Sequence, residues 1–183
     1  MNKAASLETI AKSIQSCAVC QENKIGVAVP GEGNPDADVL FVGEAPGKQE
    51  AVEGRPFIGR AGKVLRSLIE QVGLSDRDVF ITSAVKYLPV HVTPTDAEIE
   101  HGRTHLFEQI AIIDPKIIVL LGRTAAYAVL DEKIQIGKQH GDVIEREGRK
   151  YLIAYHPAAP LYSPKVKEEI IKDFSKLKNL LVK

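Results

Sequence analysis

Glu44, His156, His91 and the pair Cys17 and Cys20 are the residues of this chain whose types and settings could do chemistry. Glu44 sits in Gly43-Glu44-Ala45-Pro46-Gly47, His156 opens His156-Pro157-Ala158-Ala159, and His91 lies in Val90-His91-Val92-Thr93-Pro94. Cys17 and Cys20 are separated by two residues. A carboxylate can orient a water or oppose a developing cation, and an imidazole can donate a hydrogen bond to a developing anion. Taken singly, each residue has an ordinary explanation. Glycines at 43 and 47 can serve only a strand-to-loop turn, a histidine at a strand end is commonly satisfied by its neighbours, and an isolated Glu44 is a solvated loop carboxylate.

The elements that must position these residues follow from periodicity. Val39 to Val42 is a continuous apolar run, which reads as a buried parallel strand leading into Glu44. Val79 to Val85 is the next strand and carries Ser83, and Ile117 to Leu121 is a third, closed by Gly122. Asp142 to Glu147 and Lys150 to Tyr155 flank Gly148-Arg149 as a hairpin whose second strand delivers His156. Helical spacing predicts helices over Ser6 to Ser16, Ala61 to Val72, Asp96 to Ile113, Thr124 to Leu130 and Lys165 to Val182. Gly73 ends the second of these and Pro115 the third. Strands alternating with helices predict a parallel sheet covered on both faces, and ligands in such sheets bind beyond the carboxyl ends of the strands.

Composition sets the frame. The chain has 183 residues, 24 Lys plus Arg against 24 Asp plus Glu, 44% hydrophobic residues and no Trp, which fits one compact domain over residues 1–183. Zero formal charge argues against coating nucleic acid by bulk electrostatics and leaves room for a small local patch of cations. Two cysteines cannot make a disulfide framework, and Met1 to Ser16 lacks the pattern of a signal peptide, so a reducing cytoplasm is expected. No apolar run approaches the roughly 18 residues needed to span a bilayer, so no membrane partner is expected.

Taken together and in order, Gly43 to Gly47, the run Gly54-Arg55-Pro56-Phe57-Ile58-Gly59-Arg60-Ala61-Gly62, Ile81 to Lys86 and His156 to Ala159 resemble the successive motifs of family 4 uracil-DNA glycosylases. The resemblance spans most of the chain. It implies a three-layer α/β/α sandwich around a central, mainly parallel four-stranded sheet, and removal of uracil from DNA as the first step of base-excision repair. That reaction passes through an oxocarbenium-like sugar and requires the base to be held out of the stack. His156 is expected to stabilise the leaving base and Glu44 to orient water or oppose the cationic sugar. Phe57 offers a stacking face, and Ala45, Gly47 and Ser83 complete the base-binding set. Lys48, Arg60 and Ser163 are expected at DNA phosphates.

The chain also departs from the resemblance. The family holds a [4Fe-4S] cluster on four cysteines. Cys17 and Cys20 match the first pair, while Tyr87 stands at the third position and the fourth falls at or near Gly102. Two thiolates cannot hold a four-iron cube in the usual way, so no cluster, no cofactor and no metal are expected, Cys17 and Cys20 being a remnant pair. His101 and His105, four apart on one helix, could convert the pair into a Cys2His2 zinc site; a surface histidine pair is the commoner reading. Ser83 replaces an Asn whose amide can read a uracil edge, which opens the site to other deaminated bases such as hypoxanthine or xanthine. Ala51 and Tyr162 stand where relatives often carry an acid and an Arg. His91 matches a position that becomes joined to the abasic sugar in a uracil-crosslinking subfamily, which makes it a candidate nucleophile or water activator. The expected protein is a monomeric glycosylase acting on uracil-containing or otherwise deaminated DNA. Its rivals are a catalytically weakened DNA-binding module of the same fold and a nucleosidase acting on free nucleosides.

Overall fold

The four apolar runs lie side by side as parallel strands, and everything else is arranged by that fact. The computed structural model describes residues 2–181. The first half of the chain runs through α1 (Lys3–Ser16), α2 (Ala18–Gln21), β1 (Lys24–Ile25), β2 (Glu32–Gly33), β3 (Val39–Gly43), α3 (Lys48–Glu53), α4 (Arg60–Gln71), β4 (Val79–Ser83) and β5 (Leu88–Pro89). The second half contains α5 (Asp96–Ile113), β6 (Ile117–Leu121), α6 (Arg123–Leu130), α7 (Ile136–Gln139), β7 (Val143–Arg146), β8 (Arg149–Ala154) and α8 (Pro164–Leu181). The main sheet has the order β2-β4-β3-β6-β8-β7. Its four inner strands are parallel, while β2 and β7 close the two edges antiparallel to β4 and β8.

Alternation along the strands builds two cores. On one face Leu40, Val42, Ile118, Leu120 and Ile153 pack with Leu106, Ile110 and Ile113 of α5 and the alanines of α6. On the other, Val39, Phe41, Val119 and Leu152 meet Leu65 and Ile69 of α4 and Phe174 and Leu177 of α8. Every residue of β3, β4 and β6 is buried, as strands covered on both faces must be. Phe41 and Phe174 stack with centroids 5.9 Å apart, tying α8 to the sheet centre. Burial of each such large side chain contributes about 1.5 to 3 kcal/mol.

The sequence expectations meet this architecture with local differences. Helix α5 has the predicted bounds, because Thr95 and Glu98 form a reciprocal capping box at its start and Asp114, in the left-handed region ahead of Pro115, ends it. The hairpin turn falls one residue earlier than Gly148-Arg149. Glu147 and Gly148, with φ of 52° and 74°, are its two central residues, and Arg146 pairs with Arg149. A two-residue loop needs positive φ at both positions, which Gly148 supplies without strain. Helix α3 went unpredicted, since its six residues are too few to show a period.

Candidate active site

Three parallel strands deliver their carboxyl-terminal residues to one cavity of about 840 Å³: Glu44 follows β3, Ser83 ends β4 and His156 follows β8. Ala45, Gly47 and Phe57 join them in its lining. Position beyond the strand ends is where a sheet of this type leaves its crevice.

Glycines in the motif runs are explained by contact. The Phe57 ring lies on the backbone of Gly43, where an added Cβ would fall 2.6 Å from Phe57 Cζ. Gly62 lets α4 close over the Phe57 carbonyl, since a Cβ there would stand 1.8 Å from its oxygen. Phe57 itself holds φ at 50°, an uncommon conformation for a bulky residue. The surroundings enforce it. Buried Glu50 accepts hydrogen bonds from the Ile58 and Gly59 N–H groups at 2.9 and 2.8 Å, so one carboxylate of α3 clamps the loop that presents the ring. Backbone strain of this kind persists only where the environment over-determines it, and it concentrates at functional sites.

His156 stands with its ring centroid 5.8 Å from that of Phe57. Its Nδ1 accepts the Ala158 N–H at 3.1 Å, which leaves the ring proton on Nε2. Burial holds the imidazole below the ordinary histidine range, and the Glu44 carboxylate partly offsets that. The ring is therefore a neutral donor with its tautomer set by the backbone. Thr124, three residues beyond the end of β6, donates its hydroxyl proton to Glu44 Oε2. Gly122 takes φ of 93° in the intervening turn, and a Cβ there would sit 3.2 Å from His156 Cβ. Ser83 donates its own proton to the Val85 carbonyl at 2.8 Å, so its oxygen faces other groups as an acceptor.

Lys48 and Arg60 occupy the first positions of α3 and α4, are exposed, and line the same cavity. Neither takes part in an ion pair among the described residues. Ser163 lies ahead of α8, next to the exposed Tyr162 that lines the cavity, and is not itself in the lining. Sequence reasoning missed Thr124 and Glu50 as positioning residues and gave Tyr162 no place in the lining. A hydroxyl just after a strand-closing glycine was the available signal for the first.

Two expectations need correction. His91 is not brought to the cavity: Val90 and Val92 on either side line it, while His91 faces an adjoining cavity of about 350 Å³. Its Nε2 lies 3.1 Å from Glu98 Oε2, because the capping carboxylate of α5 is the nearest partner the loop offers. The second correction concerns the cofactor. The expected absence of any metal set, with Cys17 and Cys20 a remnant pair and the histidines on the surface, is overturned: Cys17, Cys20, His101 and His105 bring one donor atom each within 4.8 Å of one another. Spacing of four along α5 turns both imidazoles toward the cysteine turn, and His105 is buried.

Residues 30–178 match the model of the uracil DNA glycosylase superfamily. The chain is 40% identical to a type-4 uracil-DNA glycosylase of Archaeoglobus fulgidus over 96% of its length and 93% of that protein. Similar proteins of the same description occur in Saccharolobus solfataricus, 41% identical over 96% of this chain and 86% of the relative, and in Thermotoga maritima, 36% identical over 97% and 95%.

Proposed function

The chain belongs to the uracil-DNA glycosylase superfamily and hydrolyses the N-glycosidic bond of uracil in DNA, and we propose that it does so on a base flipped into the cavity of Glu44, Phe57, Ser83 and His156. The observation that carries this reading is the partly buried His156, its Nδ1 held by the Ala158 N–H so that Nε2 is left to donate, beside a Glu44 carboxylate held by Thr124. As the bond from the anomeric carbon to the base nitrogen breaks, its electron pair leaves with the base. The Nε2–H of His156 donates to a carbonyl oxygen of that anion, a stabilisation that grows with the charge. Glu44 opposes the positive sugar and orients the attacking water, whose proton passes to the carboxylate or to solvent. Phe57 supplies an aromatic face for the base, worth about 1 to 3 kcal/mol.

Ser83, with its proton committed to Val85, can accept from the ring N–H that uracil and hypoxanthine both carry. That supports uracil as substrate and extends to other deaminated bases. Lys48 and Arg60 at the mouth, with Ser163 near the start of α8, would take the flanking phosphates. His91 has no step in this scheme. No described helix is long and apolar enough to cross a membrane. The reading includes a divergent, single-domain monomer working in a reducing cytoplasm, which two free cysteines support.

The test is incubation with labelled single-stranded oligonucleotides carrying one uracil, hypoxanthine or xanthine, followed by alkali and a denaturing gel. Strand breaks at uracil are expected, with weaker breaks at hypoxanthine. Folded protein that binds the strand and leaves every base in place would remove the catalytic assignment.

A further inference from the structure

We propose that Cys17, Cys20, His101 and His105 together hold one tetrahedral metal ion of the zinc class, which fastens the amino-terminal helices to α5. Geometry is the first reason. The four donor atoms lie within 4.8 Å of one another, and Cys17 Sγ is 3.2 Å from His101 Nε2. Bonds of roughly 2.3 Å to sulfur and 2.0 Å to nitrogen around a tetrahedral ion put neighbouring ligand atoms roughly 3.3 to 3.8 Å apart. Small rotations of side chains close the difference.

The second reason is an orphaned group. Both ring nitrogens of His105 are buried without a hydrogen-bond partner, and the side chain is 8% exposed. The nearest carboxylate oxygen, on Glu108, is 3.8 Å from Nδ1. A buried polar group left unsatisfied is costly, and a ring nitrogen directed at two thiols and a second imidazole has the surroundings of a ligand. With Nε2 on the ion, Nδ1–H is left toward Glu108, the usual outer partner of a ligating histidine.

The donor set also bears on the four-iron cube that the family resemblance implies. Such a cube takes four thiolates, each on its own iron. Here two of the four donors are imidazoles, and a thiol and an imidazole already touch. At Gly102 a Cβ would fall 2.3 Å from the Ala84 carbonyl oxygen, so no side chain fits there. Tyr87 is packed instead into a small apolar cluster with Ile10, Ile14, Cys20 and Ala28. These residues do not fit the cube. They fit a single ion, and two thiolates with two imidazoles in a tetrahedron select zinc over the oxygen-loving cations. All four positions are filled by protein, so the ion has no open place for water or substrate and is structural. Binding releases the two thiol protons and links α2 to the helix whose capping residues anchor the loop from Ser83 to Thr95.

Elemental analysis of the full chain, purified without a metal-affinity tag, together with its visible spectrum, tests this. A single zinc per chain and a colourless protein are expected. After stripping with a chelator, titration with cobalt should give the ligand-field and thiolate charge-transfer absorption of a four-coordinate site, saturating at one equivalent, and a higher melting temperature. Cys17→Ser and His105→Ala should each abolish stoichiometric binding; the wild-type cobalt spectrum decides even where a variant fails to fold. Iron with acid-labile sulfide, or a chain that neither retains nor takes up metal, would overturn the proposal.

Discussion

The cavity beyond the strand ends and the cysteine–histidine corner, whose histidines project from within α5, constrain their residues in opposite ways. In the cavity the restraint is steric: Gly43 and Gly62 are glycines because the Phe57 ring and carbonyl occupy the space a Cβ needs. At the corner the restraint on the four candidate ligands is on where their donor atoms reach. Gly102 again excludes a side chain by its approach to Ala84, but the ligands come from His101 and His105, one residue before and three after it. Close backbone contact fixes residue type, whereas a ligand position accepts any side chain whose donor reaches the same point. Two regions of one chain can thus hold motif and chemistry together in one place and separate them in the other.

The largest expected effect breaks the cavity while sparing the corner. His156→Ala should lower the rate of base release about 100- to 1000-fold, the usual loss for one preorganised donor to a developing anion. Glu44→Gln should fall in the same range. Melting temperature and metal content should stay at wild-type values in both. A parallel loss of metal would mean that the two regions are one cooperative unit.

Gly62→Ala attacks the steric restraint itself. Its Cβ would stand 1.8 Å from the Phe57 oxygen, so the Phe57 loop must move. Overpacking of this kind costs about 1 to 3 kcal/mol, and a displacement of about 1 Å at the reacting geometry can remove up to about 100-fold in rate. Gly137→Ala is the control, since the nearest atom to its Cβ would be the Tyr155 hydroxyl at 3.9 Å. Equal behaviour of the two variants in thermal melts and single-turnover assays would dismiss the steric account.

Thr124→Val is gentler. It removes one hydrogen bond to Glu44 and leaves the carboxylate in place. A bond to a charged group is worth about 1.5 to 3 kcal/mol, so a loss of roughly ten- to a hundredfold in the single-turnover rate is expected, with rescue by Thr124→Ser. A fall in Val and no recovery in Ser would assign Thr124 to packing.

How much of this was legible in the sequence follows the same division. The strands were, because Val39 to Val42 and Ile117 to Leu121 are apolar without interruption, as strands buried on both faces must be. The meeting of Glu44, Phe57, Ser83 and His156 around one cavity follows from motif runs that backbone contact makes rigid, while their roles in catalysis are what the variants above test. Thr124 was not legible, since a hydrogen bond spanning 80 residues leaves no local pattern, and Glu50 was not, since its six-residue helix is too short to show a period. The metal set was visible as a spacing of four between His101 and His105, but burial decides between ligand and surface pair, and the pattern of α5 does not reveal which face meets the cysteine turn. His91 misled because sequence gives the position of a loop residue without its direction, and Glu98 sets that direction.

The smallest expected effect concerns the loop between the two regions. Burial alone would raise the Glu98 carboxyl, but hydrogen bonds from Lys24, from the Thr95 N–H and hydroxyl, and from His91 outweigh it and hold the group at about 2 against an ordinary value of 4.5. A carboxylate depressed in the folded state contributes stability that is fully present above the unfolded value and is lost as pH falls through the folded one. Glu98→Gln should therefore be less stable than wild type at neutral pH, with the gap shrinking between pH 4.5 and about 2, as read by urea unfolding across that range. Base release at neutral pH should barely change, because His91 and its partner face the adjoining cavity rather than the one lined by Glu44 and His156. A loss in Glu98→Gln as deep as that of Thr124→Val would return His91 and its loop to the reacting centre, and the boundary between the two regions would have to be drawn on the other side of Glu98.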